Sequence, residues 1–160
     1  LEKISGRKVV GYRGPLDLLP NCAMQLMAER GYLYGSTLKD CDWAYVHEDY
    51  PLVELPTEPT LDDFSWFYFS CADEATITCS YPVDYVYDIW KDNFDELANE
   101  GDKIFVLKLH PQLIGRSRRV RMLERFIAYM KANGAWLASC EDVARYVKEF
   151  YAKRAEGGEA

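Results

Sequence analysis

Two histidines are present, His47 and His110, and only the second has a setting that chemistry favours. Phe105-Val-Leu-Lys-Leu109 reads as a buried parallel strand, and His110 stands at its carboxyl end, directly before the polar run Pro111-Gln112 and Gly115-Arg116. α/β barrels keep their reacting groups on the loops that leave such strand ends. An imidazole with an ordinary pKa near 6.5 gives up a proton around neutrality, which typically contributes about 10² to 10⁴ in rate. An acid also needs a nucleophile. Amide hydrolysis commonly takes it from a metal that lowers the pKa of water from about 15.7 toward 7, held by about three protein ligands. A set made of His110, His47 and a cysteine matches no zinc spacing, and the five cysteines at 22, 41, 71, 79 and 140 contain no Cys-x-x-Cys. No metal site is expected from the residues of this chain alone.

Composition narrows the field. A chain of 160 residues suits one domain, and a chain of that size buries roughly 70% of its unfolded surface. A formal charge of −7 leaves no electrostatic footprint for nucleic acid. The one basic cluster, Arg116 to Arg121 with arginine at four of six positions, reads as a helix start beside a loop, with Arg116 or Arg119 near the site. No apolar run approaches the roughly 20 residues of a membrane span, and the first residues show no signal-peptide core. Scattered thiols fit a reducing compartment, so a cytoplasmic location is expected. His47, within Tyr-Val-His-Glu-Asp, reads as a solvated loop residue.

The elements that must position these residues alternate between strand and helix. Leu1 to Ser5 resembles the end of a helix, so the chain is expected to begin part-way through a fold, and Lys8 to Arg13 follows as a strand. A helix opened by Pro20 and closed by Gly31 presents Ala23, Leu26 and Met27, and short strands are expected at 32–34 and 52–56. From there to Cys79 a long loop with some β pairing is expected. Val86, Trp90, Phe94 and Leu97 give a helix that stops at Gly101; 104–109 is the strand before His110. Val120, Leu123, Ile127 and Met130 mark the next helix, closed by Asn133-Gly134, and 135–138 is a short strand. Ser139-x-x-Asp142 caps a last helix with the stripe Val143, Val147, Phe150 and Tyr151. Repeated βα units predict parallel strands with outer helices, in one domain over 1–154 with a disordered tail over 155–160.

Four segments occur in order over essentially the whole chain: Gly11-Tyr-Arg-Gly-Pro15; Gly31-Tyr-Leu-Tyr-Gly-Ser36; Leu52-Val-Glu-Leu-Pro56 with Asp62-Asp-Phe64; and Leu107-Lys-Leu-His-Pro-Gln112 with Gly115-Arg116. Together they resemble the polysaccharide deacetylase family (NodB homology, carbohydrate esterase 4-like), above all its peptidoglycan-deacetylase-like and allantoinase-like branch. The resemblance implies an α/β fold of partial (β/α) barrel type and metal-dependent hydrolysis of non-peptide C–N bonds. In that family a metal-activated water attacks the acetamide carbonyl while a histidine protonates the leaving amine. By position, His110 corresponds to that histidine, Arg13 to the arginine that orients a carboxylate of the site, and Pro15 to the residue shaping the groove floor. Asp42 and Trp43 fall where the branch usually carries Asp-Asp before Pro-Tyr, although Cys41-Asp42-Trp43-Ala44-Tyr45 lacks the first acid and the proline. Pro111, Gln112 and Arg116 complete the implied substrate-binding set.

The family's first-strand Asp-Asp motif and its His-x-x-x-His pair precede the Gly-x-Arg-x-Pro segment, so the resemblance covers the C-terminal half only. Asp62-Asp63 lack the strand and Thr-Phe context of those acids and are not expected to ligate metal. The divalent ion that the resemblance implies, such as zinc, then requires a complementary half, and catalysis by this chain alone is not expected. The rival class is a non-catalytic glycan-binding or homo-oligomeric remnant, with Trp43, Trp66, Phe67, Tyr68 and Phe69 as a sugar-stacking or core cluster. Exposed strand edges predict a homo-oligomer or association with a complementary N-terminal half.

Overall fold

The structure, a computed structural model, describes residues 1–72, 75–78 and 80–157. In chain order its elements are α1 (Glu2–Ser5), β1 (Gly11–Tyr12), α2 (Ala23–Glu29), β2 (Tyr34–Gly35), β3 (Tyr45–Val46), β4 (Val53–Glu54), α3 (Asp63–Phe67), β5 (Phe69–Ala72), β6 (Ala75–Thr78), α4 (Val83–Glu100), α5 (Pro111–Ile114), α6 (Ser117–Ala132) and α7 (Cys140–Gly157). They fall into two units, Leu1–Thr57 with Ala138–Ala160, and Glu58–Leu137. No helix among the described residues is long and apolar enough to cross a membrane. Cys22, Cys41 and Cys140 are in no disulfide. The side chain of Cys71, the whole of Cys79 and the tail from Gly158 lie outside what the structure describes, while α7 runs to Gly157.

The first unit is built on a sheet of order β1-β2-β4-β3. β1 and β2, and β2 and β4, pair in parallel, whereas β3 runs antiparallel to β4. Leu52, Val53 and Leu55 are almost fully buried, as expected for a parallel strand covered on both faces. α7 packs on β2, β3 and β4. Its start is a reciprocal cap in which Ser139 Oγ accepts the Asp142 amide at 3.2 Å and donates to Asp142 Oδ2 at 2.6 Å. It buries Ala144 and Val147, whereas Phe150 and Tyr151 are 44% and 41% exposed, so the inward stripe is shorter than the sequence pattern suggests. α2 ends at Gly31, whose φ of +67° lets the Tyr32 amide reach back to the Met27 carbonyl. Its start lies at Ala23 rather than Pro20.

The second unit has its core between α4 and α6. Val86, Trp90 and Phe94 recur every four residues along α4 and face Met122, Phe126 and Met130 at the same spacing on α6. The α6 stripe is rotated from the expected one: Leu123 and Ile127 only flank the core, and Val120 is 38% exposed. The indoles of Trp66 and Trp90 both donate to the Thr60 carbonyl, at 2.8 and 2.9 Å. β5 and β6 form an antiparallel pair within the stretch read as a loop with some pairing.

Two expected strands do not form among the described residues. Over 104–109 the backbone makes only a parallel bridge between Lys108 and Asp62, because the partner segment turns into α3 at Asp63 and removes the next rung. At 135–138 the Ala135 amide is committed to the Met130 carbonyl as part of the α6 cap, which leaves no ladder to extend.

Two expectations follow for the second unit. Trp90→Ala should lower the unfolding free energy by about 3–5 kcal/mol in urea titration, as for other buried large-to-small changes. Asp95 has its carboxyl held below the usual value by hydrogen bonds from Lys91 and Tyr129. Its stabilising effect is therefore present above the unfolded-state pKa near 3.9 and is lost as pH falls through the lower folded value. The stability difference between the parent and Asp95→Asn should shrink on acidification below about pH 4.

Candidate active site

Asp62 and Asp63 open α3 with different tasks. Asp62 is the N-cap, its Oδ1 accepting the Phe64 amide at 2.9 Å while Oδ2 receives Lys108 Nζ at 2.9 Å. Asp63 is wholly buried. Both of its oxygens accept the His110 backbone N–H, at 3.1 and 3.0 Å, and Oδ1 lies 2.6 Å from His110 Nδ1. The backbone sets this up. The Asp62–Lys108 bridge aligns the two segments two residues before His110. Pro111, at the first position of α5, holds His110 extended as its N-cap. Phe64 packs 5.4 Å from the imidazole centroid.

A carboxylate only accepts, so Nδ1 carries the hydrogen and the dyad fixes the tautomer. The outer nitrogen, Nε2, belongs to a side chain that is 37% exposed, where a reacting group can reach it. A buried acid that orients an imidazole, with the far nitrogen open, is an arrangement for proton transfer.

The first unit holds a second polar network. Arg13 Nε donates to the Ser36 carbonyl at 2.9 Å and Nη2 to Ser36 Oγ at 2.6 Å; Ser36 Oγ donates in turn to the Leu55 carbonyl at 2.8 Å. The Gly14 amide donates to Thr37 Oγ1 at 2.9 Å. Buried Glu54 accepts the amides of Thr37 and Leu38 at 2.8 and 2.9 Å and meets His47 Nε2 at 3.3 Å. Gly35 lies close beneath this carboxylate, where a Cβ would stand 2.8 Å from Glu54 Oε2 and push it from its place.

No family model matches the chain. A peptidoglycan deacetylase-like protein of Gibberella zeae is 24% identical over 169 residues, which cover 83% of this chain and 49% of that protein. Among solved structures, one named as a polysaccharide deacetylase from Mycobacterium smegmatis matches with a TM-score of 0.82 and 30% identity, over 94% of this chain and 53% of that one. Another so named, from Pseudomonas aeruginosa, gives 0.72 and 28% over 90% and 48%, and an allantoinase gives 0.74 and 28% over 90% and 47%. This chain is similar to the polysaccharide deacetylases. It spans about half the length of the relatives it matches.

Within this deacetylase-like α/β fold the residues singled out by sequence have distinct fates. His110 is the centre of the dyad, and Pro111, Gln112 and Arg116 follow it along α5 and into α6, all exposed. Arg13 is exposed, and among the described residues it makes no ion pair; its guanidinium is held by Ser36 instead. Pro15 opens a single 3₁₀ turn in which Leu16 and Asp17 take positive φ values of 55° and 54°. Asp42 and Trp43 are exposed in the connection from β2 to β3. The aromatic cluster separates: Phe67 is core, Trp66 is tied to Thr60, and Tyr68 stacks on Phe64 at 3.9 Å. The side chain of Phe69 lies outside the described residues.

His47 is not the solvated loop residue expected from its neighbours. Its side chain is 13% exposed because β3 pairs with β4 and turns the imidazole onto Glu54. Asp63, missed as a site residue, could be read from sequence as half of an Asp-Asp helix start, but nothing local points it at His110, 47 residues away.

Replacing Asp63 by Ala should release the tautomer. Imidazole ¹⁵N shifts are expected to report Nδ1–H in the parent chain and a mixture in the variant, with about 1–3 kcal/mol of stability lost through the unpaired His110 amide. Unchanged shifts would remove Asp63 as the orienting group.

Proposed function

We propose that the chain belongs to a deacetylase-type hydrolase of non-peptide C–N bonds acting on N-acetylated sugars, with His110 as general acid and Asp63 as its positioning residue. The observation that carries this reading is the 2.6 Å contact between His110 Nδ1 and a carboxylate shut away from water. With Nδ1–H held, the imidazolium delivers its Nε2 proton to the amide nitrogen as the C–N bond breaks, and the neutral imidazole keeps the same tautomer. The similarity to deacetylases and an allantoinase supports the same class of bond.

The donors of Asp62, Asp63 and His110 lie within 4.8 Å of one another, yet they fit a catalytic metal poorly. One Asp62 oxygen is neutralised by Lys108, both Asp63 oxygens take the His110 amide, and Nδ1 carries a hydrogen, so a cation would have to break each of these contacts. In our reading the residues that activate the water come from a complementary segment or a second chain, as part of a NodB-type barrel, and this chain by itself does not turn over.

Acetate release from N-acetylated glucosamine oligomers tests this. The chain alone should release none, with or without added zinc. Joined to a complementary segment that carries metal ligands it should release acetate, and His110→Ala should lower kcat/KM by about 10² to 10⁴. Release undiminished by that substitution would take His110 out of the mechanism; zinc-dependent release by the chain alone would overturn the need for a second segment.

A further inference from the structure

α7 carries aromatic side chains on a part of its surface that does not face the sheet. It buries Ala144 and Val147, yet Tyr146 and Phe150 are 59% and 44% exposed. Their rings stack with centroids 6.5 Å apart and planes 22° from parallel, and the guanidinium carbon of Arg154 lies 5.6 Å from the Phe150 centroid. Asp142, Tyr146, Phe150 and Arg154 are all exposed and follow one another four residues apart, so they form a single row along the helix. The row begins with a carboxylate, ends with a guanidinium and holds two rings between them. Lys148, midway along it in sequence, points elsewhere: its Nζ reaches the Pro51 carbonyl at 3.4 Å.

A row in this order is complementary to itself in reverse. Turned end for end about a two-fold axis at the level of Lys148, Asp142 meets the partner's Arg154 and Tyr146 meets the partner's Phe150, each pair occurring twice. Rows of residues four apart interlock in the commonest class of helix crossing. α7 has Glu141 and Asp142 in its first turn and Arg154 in its last, so a reversed copy sets unlike charges together at both ends and opposes the two helix dipoles. A copy running the same way would set like charges together. The formal charge of −7 works against association in general, so a face that brings copies together has to supply its own cations, as this one does.

We infer that the chain pairs with a second copy of itself through this face of α7, antiparallel, with Phe150 as the anchor and the two Asp142–Arg154 pairs setting the register. One pair of helices is a smaller contact than a permanent dimer uses, so the association is weak and depends on concentration. It is independent of the role of His110.

Sedimentation equilibrium of the 160-residue chain tests this. A monomer–dimer equilibrium is expected, with Kd on the order of 10⁻⁵ to 10⁻⁴ M. Phe150→Ala and Arg154→Glu should each raise Kd about 10-fold or more, whereas Lys148→Ala should leave it unchanged. Asp142→Lys should also weaken self-association. Mixed with the Arg154→Glu chain, however, it should form a heterodimer within about threefold of the parent affinity, because both charge pairs are then restored. Circular dichroism melts show that each variant is folded. A parent chain that stays monomeric at about 5 × 10⁻⁴ M overturns the proposal without any variant. A dimer indifferent to Phe150→Ala overturns this face, and a mixture that associates no more tightly than its two components overturns the antiparallel register.

Discussion

A carboxylate denied water has to find its hydrogen bonds inside the protein, and Asp63 takes its backbone and side-chain contacts from a single residue, His110. That demand organises the second unit. It ties the start of α3 to the segment before α5 across 47 residues of sequence, and the Asp62–Lys108 ion pair and the 62–108 bridge reinforce the same junction. The histidine is held at the backbone and at one ring nitrogen, and its remaining freedom is the proton on the other. A structural requirement and a catalytic one are met by the same contacts.

Glu54 plays a comparable part in the first unit, where it receives two consecutive backbone amides and His47. Its pull on Thr37 and Leu38 fixes the turn whose neighbour, Ser36, holds Arg13. Both histidines of the chain thus rest on buried carboxylates. The difference lies in the outlet: His110 is 37% exposed and His47 only 13%.

How much of this was legible in the sequence depends on the range of the interactions. The helices around Trp90 and Phe126 follow from local periodicity, the Ser139 cap from a three-residue spacing, and the turns at Gly31 and Gly134 from glycine alone. His110 and the deacetylase resemblance were readable because motif order survives without structure. The partners were not. Asp63 with His110, and His47 with Glu54, meet through strand pairing that no local pattern encodes, and the expected strand at 104–109 shrinks to one bridge because its neighbour becomes a helix. A hydrophobic run states that a segment is to be buried, but not whether a ladder will be there to receive it.

The Thr60 carbonyl, which takes both the Trp66 and the Trp90 indoles, has a further consequence. A carbonyl oxygen has two lone pairs, and here both are engaged by side chains from different helices, so losing one indole leaves the acceptor satisfied by the other. The two tryptophans share an acceptor, and the effects of replacing them are therefore not independent. At that acceptor the loss of either indole leaves one donor in place and the loss of both strands a buried carbonyl, so the paired substitution should cost more than the sum of the two single ones.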